Sequence, residues 1–267
     1  MTAYQFVVLL GAIIIMGSSG LLMLKTAIES EYKGTVERRS AEGWWGARRV
    51  GDGKLDLERS VEPLVDIADH GADKWAGVKW LIDCVASVAL LVLFMPILIV
   101  TAIAIKLNSK GPVLYRQKRI GYRGRNFDVF KFRSMAVDAE KDGPQYATPN
   151  DHRVTRVGRW IRKTRIDEIP QTINVLRGEM SFVGPRPERP EFVTELEKAI
   201  PQYHCRHTVK PGITGWAQVK YEYAASVEGA REKLRYDLYY IRNFTPLLDI
   251  VIILMTVRVA FFGIGSR

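Results

Sequence analysis

Residues 84–105 read CVASVALLVLFMPILIVTAIAI, a run without a charge and with a single proline near its middle. Its length suits a helix able to cross a hydrocarbon core of ~30 Å. Pro96, however, lacks an N–H and sets its ring against the preceding turn, so it kinks or breaks a helix at Met95-Pro96. The flanks decide between two arrangements. Lys74 and Lys79 precede the run, and Lys106, Lys110, Arg116, Lys118 and Arg119 follow it. Basic flanks prefer the cytoplasmic side, and here both ends carry them. We therefore expect a re-entrant membrane helix over residues 80–107, bent at Pro96 and leaving on the side it entered. The alternative is a plain span, which would carry the basic region to the other side. Asp83, at the entry, is expected to meet Lys79 or Arg116, or else to sit at a solvated helix end.

Outward from this run, residues 1–24 hold no charge and are expected to form a transmembrane helix. No basic leader or small-residue cleavage site marks them as a removable signal. Lys25, Lys33, Arg38 and Arg39 follow, which points the next segment to the cytoplasm. Residues 25–73 are mixed in charge, carry Gly43, Gly46, Gly51 and Gly53, and read as a linker. On the far side, 246–263 is apolar but includes Asp249 and Arg258, which suits an interfacial or partly buried helix better than another span. The expected fold class is thus an α-rich α+β membrane protein. It has one amino-terminal span, a Pro-kinked re-entrant helix, interfacial amphipathic helices, and a small cytoplasmic catalytic domain within 74–267 with a minor β element.

The net charge of +10 is concentrated: residues 115–165 hold 14 Lys or Arg against five Asp or Glu. Such a patch seeks anionic partners, whether nucleic acid, an acidic membrane surface or phosphorylated substrates. Cys84 and Cys205 are the only cysteines, and with Cys84 inside the apolar run no disulfide is expected. His204, Cys205 and His207 lack a second ligand pair at zinc spacing. P-loop and dinucleotide-binding motifs are absent.

Residues 112–132 alternate around Gly121 and Gly124 and suggest a short hairpin bearing Gln117, Lys118, Arg119, Lys131 and Arg133. After the cations Arg159, Arg162, Lys163 and Arg165 come Asp167-Glu168-Ile-Pro170-Gln171. Pro170 suits a first helical turn, with a helix over 172–177 ended by Gly178 and Asp167 near its N-cap. Two carboxylates among so many cations are expected to stay ionised. One is competent as a nucleophile toward phosphorus, and the pair can hold Mg²⁺. The plainer alternative is a capping Asp beside a surface Glu. Arg186, locked between Pro185 and Pro187, is a rigid mount for a guanidinium able to clamp a phosphate. In Lys210-Pro-Gly-Ile-Thr214-Gly-Trp216-Ala-Gln218, consecutive turns expose backbone N–H groups beside a Trp able to stack on a base or lie at a headgroup, or else buried in a loop core.

Lys79 to Arg258 resembles the bacterial sugar transferases, the monotopic polyprenyl-phosphate phosphoglycosyl transferases. The resemblance rests on the segment broken at Met95-Pro96, Phe130-Lys-Phe-Arg-Ser-Met135, Arg165-Ile-Asp-Glu-Ile-Pro-Gln171, Phe182-Val-Gly-Pro-Arg-Pro187 and Lys210–Gln218, in that order. Tyr221-Glu-Tyr-Ala-Ala-Ser-Val-Glu and Tyr236-Asp-Leu-Tyr-Tyr-Ile241 look like the exopolysaccharide branch. The two departures are Met95, where some relatives have Ser before the proline, and the short amino-terminal region.

The resemblance implies that Asp167 attacks the sugar-bearing phosphate of a UDP-sugar, releases UMP, and passes the sugar phosphate to a polyprenyl phosphate. It implies that Glu168 supports Asp167 or Mg²⁺. Lys131, Arg133, Arg162, Pro185, Arg186 and Pro187 would contact anionic substrate, with Lys210, Thr214 and Trp216 as further substrate-binding residues. The implied location is a bacterial inner (cytoplasmic) membrane, with the domain on the cytoplasmic face, against membrane lipid and compatible with a homodimer. Nucleic acid is not an expected partner. The rivals from other classes are a membrane-tethered nucleic-acid binder using the 115–165 patch and a non-catalytic scaffold.

Overall fold

The computed structural model describes residues 48–49, 55–56, 72–141, 143, 151–221 and 226–262. The expected span at 1–24, nearly all of the linker at 25–73, and residues 222–225 of the exopolysaccharide-type stretch lie outside the described residues. The chain divides into two units, Met1–Asp66 and Ile67–Arg267. In the first, the described residues form a short antiparallel pairing of Arg48–Arg49 with Leu55–Asp56.

The second unit begins with helix α1, Ala72–Asn108. It starts earlier than expected and runs through Pro96 as one helix, so the proline does not interrupt it. In an apolar helix the single donor lost at a proline is tolerated. Ala76–Asn108 is long and apolar enough to cross a membrane, and only 11% of its most apolar window is buried. Leu93 is 74% exposed, Val100 66% and Leu107 83%. At ~25 cal/mol per Å² such a surface is stable only against an apolar surrounding. One stripe is covered instead: Asp83, Ser87, Thr101 and Ile105 are buried. These positions recur at helical spacing and face the rest of the unit.

Alternation over 112–132 produces the hairpin. Strand β1, Leu114–Ile120, pairs antiparallel with β2, Asn126–Phe132, from Leu114↔Phe132 to Ile120↔Asn126. The turn uses Arg123 and Gly124 at positive φ, 55° and 71°. Helix α2, Arg156–Lys163, is capped by Thr155, whose Oγ1 accepts the Gly158 amide at 2.9 Å. Gly158 is dictated by space, because a Cβ there would stand 1.9 Å from the Ser134 carbonyl. Ile161 of α2 packs with Ile105, Phe132 and Ile166 in one core cluster. Asn108 at the end of α1 accepts the Val157 amide at 3.2 Å.

A 3₁₀ turn, Ile166–Gln171, leads into α3, Thr172–Leu176, which ends before Gly178 at φ 74°. Strand β3, Ser181–Val183, pairs in parallel with β4, Gly212–Thr214. Between them lie α4, Pro190–Ala199, and a 3₁₀ segment, Tyr203–Thr208. Helices α5, Trp216–Lys220, α6, Val227–Arg242, and α7, Pro246–Phe262, complete the unit. The α-rich α+β class is as expected. Among the described residues Asp83 pairs with no basic side chain: its Oδ1 accepts the Phe182 amide at 3.4 Å. Lys79 instead pairs with Asp249, whose other oxygen lies 2.8 Å from the Tyr240 hydroxyl. Both cysteines are free.

Candidate active site

The carboxylates sit where two short elements meet. Arg165 closes α2 in the left-handed region, φ 58° and ψ 12°, and turns the chain sharply into the 3₁₀ turn carrying Asp167 and Glu168. A non-glycine residue there is strained, and strain of this kind clusters at functional sites. Asp167 is therefore inside a 3₁₀ turn and not at the N-cap of the following helix. Ile166 and Ile169 anchor the turn in the core, so its polar residues are turned the other way.

Glu168 is held from two sides. Lys131 Nζ of β2 donates to its Oε1 at 2.9 Å, and Arg186 Nη2 donates to the same oxygen at 2.7 Å. Burial opposes ionisation of Glu168, but Arg186 and Lys131 overcome it and keep the carboxyl well below its usual range. Burial also depresses the Lys131 ammonium, against the pull of Glu168.

Asp167 differs. Its Oδ1 is buried without a hydrogen-bond partner among the described residues. Burial, and then the neighbouring Glu168 charge, raise its carboxyl to about 6, while Lys131, Arg162 and Arg165 pull the other way. Both carboxylates are charged at neutral pH, as expected, but the two are not alike. Glu168 is a fixed anion, and Asp167 is an under-solvated carboxylate charged at neutral pH but protonated in mild acid.

Arg186 keeps a third of its side chain exposed (34%), facing solvent while anchored on Glu168. Its mount is rigid. The four consecutive carbonyls of Pro185, Arg186, Pro187 and Glu188 each accept a bond: from Gly212 N at 2.9 Å, Arg206 Nη2 at 2.9 Å, Arg119 Nη1 at 3.0 Å and Ile120 N at 3.0 Å. Pro185 and Pro187 are buried.

The structure thus brings together Asp167, Glu168, Lys131, Arg162 and Arg186. Others are placed elsewhere. Arg133 is 5% exposed and donates to the carbonyls of Lys110 and Ser109 at 3.0 and 2.8 Å, fastening the turn after α1. Trp216 is 1% exposed and stacked on Tyr239 at 6.1 Å, so its face is closed to a nucleotide base; the buried alternative holds. Thr214 is buried and bonded to Thr256 of α7 at 2.6 Å. Lys210 belongs to the strand frame, its carbonyl packed against Gly184 and its ammonium near Gly178. Lys210 and Thr214 flank Gly212, whose amide holds the Pro185 carbonyl next to Arg186.

Three positioning groups were not singled out from sequence. Asn174 is fully buried; its Oδ1 accepts the Phe130 amide at 3.0 Å, and its Nδ2 donates to Asp128 O and Glu179 Oε2, both at 2.7 Å, locking α3 to β2. Arg206 and Asp237 form a pair only 5% and 2% exposed. Little in the local sequence marks these three, because Asp237 lies 31 residues from Arg206, and Phe130 and Asp128 lie 44 and 46 residues from Asn174.

The chemistry of the donor set fits a divalent cation. Asp167 offers an unbonded oxygen, and both cations on Glu168 land on Oε1 alone. No group of three or more His, Cys, Asp or Glu side chains that could hold a metal occurs among the described residues, so further ligands would come from substrate.

The model of the family described as "Bacterial sugar transferase" matches residues 74–263. The chain is 48% identical over 193 residues to a UDP-N-acetylgalactosamine-undecaprenyl-phosphate N-acetylgalactosaminephosphotransferase of Aeromonas hydrophila, covering 72% of this chain and 46% of that protein. It is 42% identical over 203 residues to a UDP-glucose:undecaprenyl-phosphate glucose-1-phosphate transferase of Escherichia coli K12, covering 75% and 43%. An uncharacterized sugar transferase of Bacillus subtilis, EpsL, is 39% identical over 190 residues, covering 71% and 90%. The chain therefore spans less than half the length of the first two relatives.

Proposed function

Because this chain belongs to the bacterial sugar transferase family, we propose that it transfers a sugar 1-phosphate from a UDP-sugar to undecaprenyl phosphate or a related polyprenyl phosphate. This is an opening step of exopolysaccharide or related glycan synthesis. The observation that carries the proposal is the division of labour between adjacent carboxylates. Glu168 is clamped by Lys131 and Arg186, whereas Asp167 presents an under-solvated, unbonded oxygen beside it.

In the first step an Asp167 carboxylate oxygen attacks the phosphorus that bears the sugar. A P–O bond forms as the bond to the neighbouring phosphate breaks, and UMP leaves with the electron pair. In the second step a phosphate oxygen of the polyprenyl phosphate attacks the same phosphorus. The aspartyl–phosphorus bond breaks and Asp167 is regenerated. Splitting the transfer lets one carboxylate serve the donor and the acceptor in turn. Lys131 keeps Glu168 paired when a diphosphate draws on Arg186, and Arg162 adds positive charge to the region where anionic oxygens crowd. Asp167 and Glu168 would hold Mg²⁺, which when bound supplies positive charge to the diphosphate.

The membrane geometry belongs to the same proposal: α1 enters and leaves on the cytoplasmic side. Its support is that both ends bind one unit. Lys79 and Asp83 reach Asp249 and Phe182 at the start, while Ile105 and Asn108 reach Phe132, Ile161 and Val157 at the end.

The test is UMP release from a panel of donors, including UDP-glucose and UDP-N-acetylgalactosamine, with undecaprenyl phosphate and Mg²⁺. Release from one donor, abolished in Asp167→Asn and by chelation, is expected. No release from any donor, or full activity in the variant, overturns the proposal.

A further inference from the structure

We infer that the buried Arg206–Asp237 pair is a positioning device for Arg186, acting through the Arg186 main-chain carbonyl. The inference rests on the transferase reading of the site. Arg206 spends its guanidinium on three targets. Nε and Nη2 donate to Asp237 Oδ2 at 3.1 and 2.8 Å, Nη1 donates to the Tyr203 hydroxyl at 2.7 Å, and Nη2 also reaches Arg186 O at 2.9 Å. Asp237 lies on α6 and Arg206 on the 3₁₀ segment 203–208, so the pair ties two outer elements to the loop bearing Arg186.

Stability alone is a poor account of such a pair. Desolvating two charges costs about as much as their attraction returns, and apolar residues of similar volume commonly serve as well. What an apolar replacement lacks is a donor for the Arg186 carbonyl. That carbonyl lies between two prolines, so neither Pro185 nor Pro187 has a φ that can adjust if it is released. The guanidinium meets Glu168 at 2.7 Å at the far end of the same residue. A displacement at the main chain is therefore carried to the contact beside Asp167, where placement errors of about 1 Å are costly to phosphoryl transfer. Lysine cannot substitute for Arg206: it is a point charge and cannot span Asp237, Tyr203 and a carbonyl in one plane.

The experiment is a double-mutant cycle on steady-state UMP release by the full chain in detergent or nanodiscs. It compares wild type, Arg206→Lys, Arg186→Lys and the double variant, with each melting temperature measured. Arg206→Lys is expected to lower kcat/KM for the UDP-sugar by about 10- to 100-fold at temperatures where it is folded. In the Arg186→Lys background the same change should cost less than about threefold, since the group being positioned is already lost. A purely structural role predicts equal losses in both backgrounds, and that result overturns the inference, as does unchanged kcat/KM in Arg206→Lys. If Arg206→Lys does not fold, Tyr203→Phe, which removes only the hydroxyl on Nη1, carries the same cycle with the same criteria. Absence of release by wild type removes the transferase reading and this inference with it. Release by wild type with additive losses removes the inference alone.

Discussion

Replacing Asp167 by asparagine should abolish transfer and at the same time make the protein more stable at alkaline pH. The folded-state carboxyl is raised to about 6 from an ordinary value of 3.8, by burial first and by Glu168 second. A folded pKa above the unfolded one means that the native chain binds the proton more tightly. Stability is accordingly lost as pH rises from about 4 to about 6, and the whole penalty stands above that window. At 1.36 kcal/mol per pH unit the penalty reaches about 3 kcal/mol. Asp167 is only half-buried as a residue, with one oxygen sealed, so screening brings the expected gain to about 1–3 kcal/mol. Asparagine never ionises and escapes the penalty. For a unit of this size the melting temperature should rise by about 2–12 °C at pH 8, and the difference should vanish near pH 4. Thermal denaturation of both proteins in detergent, with a chelator present so that no cation neutralises the carboxylate, measures it. A variant no more stable than wild type at pH 8, or one with the same advantage at both pH values, would refute the account of Asp167 as an under-solvated anion.

Three further outcomes are expected. Lys131→Gln removes a charge that favours Asp167 ionisation, so the acid limb of the UMP-release profile should move above about pH 6, with a reduced plateau; a limb that stays or moves down contradicts the geometry. Asn174→Ala strands the Phe130 amide and the Asp128 carbonyl in the core and should cost about 3 kcal/mol in denaturant unfolding. Gly158→Ala puts a methyl 1.9 Å from the Ser134 carbonyl and should lower the melting temperature sharply, whereas Gly124→Ala, with open space around it, should lose only about 1 kcal/mol from its positive φ.

Where the physics is local, the chain could be read. The hairpin followed from alternation around Gly121 and Gly124, helix α3 from Pro170 and Gly178, and α1 from apolarity alone. The Asp167-Glu168 pair and Arg186 stood in the residues only as candidates beside plainer structural alternatives, and the resemblance of the surrounding motifs gave them their expected roles. Reading failed where a side chain's partner is distant. Arg133 looks identical in sequence to a substrate cation, yet its target is the turn at Ser109. Trp216 looks like a stacking platform, but α6 closes over it through Tyr239. Arg165 gave no sign of its left-handed backbone, which tertiary packing of Ile161 and Ile166 imposes on an ordinary residue.

Helix α1, fastened to the same body near both of its ends, also fixes a height. A tethered enzyme on a single flexible stalk samples many distances from the bilayer, and each encounter with a lipid head must wait for the right one. A body stapled at Lys79 and again at Asn108 is held against α1 itself and does not hang from it. Under the proposed function Asp167 keeps one elevation above the acyl chains. On that proposal a lipid-linked phosphate then needs only to drift sideways in the leaflet, and the search for it becomes two-dimensional, while a nucleotide-linked donor arrives from the water.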